Sequence, residues 1–175
     1  MLGTSCSSVA PAWVCQHTDL LVYLVPSLAM AVLMHILSRG SPFFFIFLVS
    51  GTICHELAHF FAGLLTNAQP TGLTVIPKRS GRTWRLGEVS LANVRWYNAA
   101  PAALAPLLLL GIPFVVAWYR TRHPWHFAPL DVALTFALGP QFLSFWPSPV
   151  DWKLALRSWP YLLVIAPLAW WRFHL

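Results

Sequence analysis

The stretch GTICHELAHFFAGLL, residues 51–65, reads as a lipid-facing helix into which two histidines and a glutamate have been set. It decides the fold because the rest of the chain shares its apolar character. Of 175 residues, 58% are hydrophobic and 9% charged, whereas an ordinary soluble domain carries about 25% charged residues. Apolar runs near the roughly 20 residues that cross a bilayer as a helix recur at 20–37, 43–65, 99–119 and 130–146, with a shorter run at 161–171. The expected fold is an all-α polytopic membrane protein of four to five transmembrane helices, in one domain over residues 1–175. Ten tryptophans gather near the ends of these runs, as interfacial belts do.

The first 19 residues contain no Lys or Arg for the basic region of a signal peptide, so the first helix is expected to remain in the mature chain. Cys6, Cys15 and Cys54 show no paired metal spacing, and Cys54 lies inside a run, which argues against a disulfide framework. The net charge of +6 sits in the connections between runs and reports topology, not nucleic acid. Lys78, Arg79, Arg82, Arg85 and Arg95 follow the second run, and Lys153 and Arg157 follow the fourth. The positive-inside rule puts both connections in the cytoplasm and leaves Arg39, Arg120, Arg122 and Arg172 outside. The expectation is a multi-pass protein of the cell (inner) membrane, with the lipid bilayer as its first partner and no nucleic-acid partner.

Between the second and third runs, the short runs 73–76 and 88–94 flank the turn-forming RSGR at 79–82. They predict a β-hairpin over about residues 73–94, with Pro77 ending its first strand or lying on an edge. The hairpin's basic residues are read as anchors to anionic headgroups. In FWPSPVDWK, 145–153, Pro147 and Pro149 cannot both continue a helix, so the fourth run should break there and Asp151 should face a cavity. Gly139 and Pro140 offer water a route into the same span.

His55, Glu56 and His59 form H-E-x-x-H. On a helix the spacing of four places both imidazoles on one face, one turn apart, where they suit a single zinc ion. Glu56 projects about 100° away, within reach of a water without being a ligand. A shuffle of this composition yields the pattern in roughly three chains per thousand. An acidic side chain at mid-bilayer costs about 2.5–3.5 kcal/mol, an amount that metal binding of about 10–16 kcal/mol can offset. A catalytic zinc takes three protein ligands and keeps one open position. Asp19 lies at the entrance of the first run, Glu88 in the hairpin and Asp131 at the outer start of the fourth run. Asp151 alone lies at a depth matching the H-E-x-x-H helix and is taken as the third ligand. His123, His126 and His174 are read as interfacial residues and His35 as a packing or interfacial one.

These residues resemble the site-2 proteases, a family of intramembrane zinc metalloproteases, from about residue 43 to residue 157. The resemblance rests on HELAH within a span, the hairpin-like interval, NAAPAALAP at 98–106 and PSPVDW at 147–152. It implies one zinc per chain held by His55, His59 and Asp151, with Glu56 as catalytic acid/base. It also implies a transmembrane or membrane-proximal protein substrate, and the positive-inside reading puts the active site toward the cytoplasm. The family usually places an Asn eight residues before its Asp, where this chain has Leu143, and its Leu and Gly around the Asp are Val150 and Trp152 here. Asn98, Gln141 and Ser144 are the polar residues that could serve instead as oxyanion or substrate-orienting donors. The alternatives are a catalytically inactive relative that binds membrane helices, and a metal or proton transporter.

Overall fold

The computed structural model describes residues 17–40, 48–76, 78–80, 83–85, 87–122 and 126–174. In chain order they form α1 (Thr18–Gly40), α2 (Val49–Leu65), four short strands, α3 (Ala99–Leu104), a 3-10 segment (Ala105–Leu110), α4 (Gly111–Thr121), α5 (Pro129–Leu138), α6 (Gln141–Ser144), α7 (Pro149–Ala155), a 3-10 turn (Leu156–Ser158) and α8 (Pro160–His174). The chain is mostly helical, with antiparallel strand pairs between α2 and α3.

Two helical stretches among the described residues, Thr18–Ser38 and Ala99–Thr121, are long and apolar enough to cross a membrane. The expected second run has 17 described helical residues in α2, its first part lying outside the described residues. The expected fourth run is not one helix. Pro140 has no amide to give to the preceding turn, and the chain breaks at Gly139–Pro140 into the ten-residue α5 and the four-residue α6. The fifth run falls within the 15-residue α8, which contains Pro167.

Many large apolar side chains are exposed, and small and polar residues share the interior with Tyr23, Leu24, Met34, Leu109 and Leu138. Val25, Val32, Ile36, Leu108, Val115 and Trp118 point outward, whereas Ala31, Ala99, Ala102, Ala103 and Ala117 are buried beside Ser27, Thr52, Glu56, His59, Asn98, Asp131 and Gln141. Small residues let helix backbones approach where no hydrophobic effect drives them together. Gly51 shows this directly: a Cβ there would lie 2.4 Å from Ser144 Oγ and 2.7 Å from the Pro140 carbonyl oxygen, so α2 and α6 meet backbone to backbone. Further along the same helix, a Cβ on Gly63 would lie 2.8 Å from Leu91 Cδ2, which seats the hairpin against α2.

The hairpin begins and ends three residues earlier than its sequence implies and is more broken. β1 (Pro70–Thr74) pairs with β4 (Glu88–Leu91), with a bulge between Pro70 and Gly72, and β2 (Lys78–Ser80) pairs with β3 (Thr83–Arg85) further out. Pro77 and the turn at 81–82 lie outside the described residues. Left-handed backbone at Asn67 and Gln69 turns the chain from α2 into β1, and the amides of Ala92 and Asn93 donate back to the carbonyls of Gln69 and Ala68, each at 3.0 Å.

A second polar cluster ties α1, α4 and α5 together. Asp131 accepts from Arg120 through two parallel bonds of 2.8 Å, from the Tyr23 hydroxyl at 2.7 Å and from the Ala128 amide at 2.8 Å. Arg120 is thus the ion-pair partner of a buried carboxylate, a role that its place among the outer charges does not reveal.

Candidate metal centre

The α2 helix carries Gly51, His55, His59 and Gly63 at intervals of four, so all four lie along one stripe. The glycines admit α6 at one end and the hairpin at the other. Between them the two imidazoles face α3 and the loop into α7.

Each ring is oriented by a backbone carbonyl that proline has set free. His59 Nδ1 lies 2.8 Å from the Ala102 carbonyl oxygen. In a regular helix that oxygen would accept from residue 106, but Pro106 has no N–H. His55 Nδ1 lies 2.5 Å from the Ser144 carbonyl oxygen. Its helical partners would be residues 147 and 148; Pro147 has no N–H, and the Ser148 amide donates to Asp151 instead. Since a carbonyl can only accept, both Nδ1 atoms carry a proton, and in the neutral imidazoles both Nε2 atoms present lone pairs.

Asp151 is brought to those lone pairs by a capping box. Ser148 is the N-cap of α7, Pro149 follows it, and Asp151 stands at the third helical position. The Ser148 amide donates to Asp151 Oδ2 at 2.6 Å, and the Asp151 amide donates to Ser148 Oγ at 3.3 Å. Asp151 Oδ1 is then 3.4 Å from His59 Nε2, Oδ2 is 3.7 Å from His55 Nε2, and the two Nε2 atoms are 3.2 Å apart. All three ligand atoms fall within 4.8 Å of one another.

Three acceptors therefore converge, and only a cation or a proton can hold them together. Zinc with bonds of about 2.0–2.1 Å in a tetrahedron sets neighbouring ligand atoms roughly 3.3 Å apart; the two Nε2 atoms are at that spacing, as are His59 Nε2 and Asp151 Oδ1, while His55 Nε2 lies 3.7 Å from the other carboxylate oxygen. The donor set of two neutral imidazoles and a carboxylate, with each ring anchored through its far nitrogen, fits zinc. Glu56 is buried beside this group and is covered by the hairpin backbone at Gly87.

The other polar residues singled out in the sequence are placed differently. Asn98 is fully buried and spends its side chain on the backbone: Oδ1 accepts from the Arg95 amide, and Nδ2 donates to the carbonyls of Asn93 and Thr66. Gln141 points between α2 and α5, with Nε2 at 3.4 Å from both Cys54 Sγ and the Ala137 carbonyl oxygen and with Oε1 buried without a hydrogen-bond partner among the described residues. Ser144 serves the site through its main-chain carbonyl, while its hydroxyl packs on Gly51. The roles of Ser148, Pro106 and Pro147 had visible signals in the sequence: an S-x-x-D box with proline at its first helical position, and prolines placed four residues after Ala102 and three after Ser144.

Comparison of the chain with protein families, with curated proteins and with solved structures gives no match.

Proposed function

We propose that this chain is an intramembrane zinc metalloprotease of the site-2-protease type, hydrolysing peptide bonds of membrane-embedded or membrane-proximal proteins. The observation that carries this reading is the convergence of His55 Nε2, His59 Nε2 and Asp151 with both Nδ1 atoms held by carbonyls, next to the buried carboxylate of Glu56. Zinc bound by these three residues would supply Lewis-acid activation of water and of the scissile carbonyl. Glu56 takes a proton from the attacking water as the new C–O bond forms. As the C–N bond breaks, Glu56 delivers that proton to the leaving amine and returns to its starting state. His55 and His59 keep their tautomers throughout because Ser144 and Ala102 hold the other ring nitrogen.

A multi-pass membrane setting is supported by the outward valines, leucines and tryptophans and by the polar, small-residue interior. With the hairpin, Lys153 and Arg157 on the cytoplasmic face, α2 runs from outside to inside and the site opens toward the cytoplasm.

One observation favours a second reading, in which the chain binds membrane helices without cutting them. Position 143, eight residues before Asp151, is leucine, and the donors of Asn98 are all engaged with backbone carbonyls. The two readings separate in one experiment on the full chain reconstituted in lipid with a labelled transmembrane-helix substrate. The protease reading expects cleavage by the wild type that is abolished in Glu56→Gln while zinc is retained. Zinc retention without turnover in the wild type would favour the binding protein.

A further inference from the structure

Gly87 immediately precedes β4, at the waist between the two strand pairs of the hairpin. A Cβ built there would lie 2.4 Å from Glu56 Cγ, 2.7 Å from Cδ and 2.6 Å from Oε1. The hairpin backbone therefore rests on the length of the Glu56 side chain, at a distance open only to glycine. The contact follows from how the hairpin is moored. Its base is fixed to the end of α2 by Leu91 against Gly63 and by the Ala68 amide donating to the Gly63 carbonyl at 2.7 Å. From Gly63 back to Glu56 the helix covers seven residues, about 10.5 Å, and from Leu91 back to Gly87 the strand covers four, about 13 Å. The hairpin lies along α2 and reaches the glutamate from its anchored end.

We infer that Gly87 is a positioning residue that fixes the Glu56 carboxylate through this contact, making the hairpin a wall of the catalytic site. A glutamate has three side-chain torsions, and a carboxylate that must take and return a proton needs one geometry. Packing by a moored backbone supplies that constraint. The inference deepens the metalloprotease reading and rests on it for the role of Glu56.

The test is a cycle of Gly87→Ala, Glu56→Asp and their combination in the full chain, read by zinc content, kcat, KM and Tm. Aspartate is one methylene shorter and makes room for the added methyl. Gly87→Ala alone should keep its zinc and its KM and lose about a hundredfold in kcat, the scale of a misplacement of roughly 1 Å at a reacting group. In the Glu56→Asp background the same substitution should lower kcat and Tm far less. Equal losses of kcat and Tm in both backgrounds would overturn the inference. If Gly87→Ala fails to accumulate, accumulation of the double variant supports the contact and failure of both overturns it. A wild-type chain that cuts nothing would sink the metalloprotease reading, whereas the Tm coupling would still report whether Gly87 seats Glu56.

Discussion

Ser148 and Asp151 hold each other, the amide of the first donating to Oδ2 of the second at 2.6 Å and the amide of the second donating to the hydroxyl of the first at 3.3 Å. The carboxylate that caps the helix is thus also the one proposed as a metal ligand. Ser148→Ala removes the N-cap acceptor, which should lower stability by about 1 kcal/mol and weaken zinc binding by about tenfold, the low end for loss of an outer support. Ser148→Thr should restore both. Chelator-competition titrations and thermal melts of the three proteins would check this.

Pro106 acts through an absence. Pro106→Ala puts back an amide four residues after Ala102, and that amide competes with His59 Nδ1 for the Ala102 carbonyl. Zinc affinity should fall by about 10- to 100-fold without loss of helix content by circular dichroism. Unchanged affinity would show that the Ala102 carbonyl does not orient the ring.

Gly51→Ala places a methyl where Ser144 Oγ and the Pro140 carbonyl already are. Separation of α2 from α6 should destabilise the protein by about 1–3 kcal/mol and move the Ser144 carbonyl away from His55. A drop in Tm together with weaker zinc binding is expected, in contrast to Gly87→Ala, which should retain zinc.

The Asp131 cluster belongs to the scaffold. Tyr23→Phe removes a donor to a buried carboxylate, for which about 1.5–3 kcal/mol is usual. The zinc content and turnover of that variant, per folded molecule, should match the wild type. Loss of zinc at constant folding would contradict the separation of the two clusters.

What the sequence reveals and what it hides divide along physical lines. The pairing of His55 with His59 is legible because one helical turn fixes it locally, and Asp151 is legible because two prolines force a helix end beside a rare acid. The hairpin is legible in its β-branched runs, but not in its bulge, which depends on how Asn67 and Gln69 leave α2. Arg120 reads as a topology marker because its partner Asp131 lies across a helix–helix contact that no local pattern encodes. Asn98 reads as a free donor for the same reason: its acceptor Thr66 is 32 residues away. Gly87 carries no signal beyond being a glycine before a strand, since the group it touches is on another element.

The most direct test of the metal centre is the zinc content of the purified full chain and its variants, measured by elemental analysis after dialysis against excess metal-free buffer. One zinc per wild-type chain is expected, retained in Glu56→Gln and lost in His55→Ala, His59→Ala and Asp151→Ala. A wild-type chain that holds no zinc after loading, or an Asp151→Ala variant that holds it as tightly as the wild type, would contradict the account.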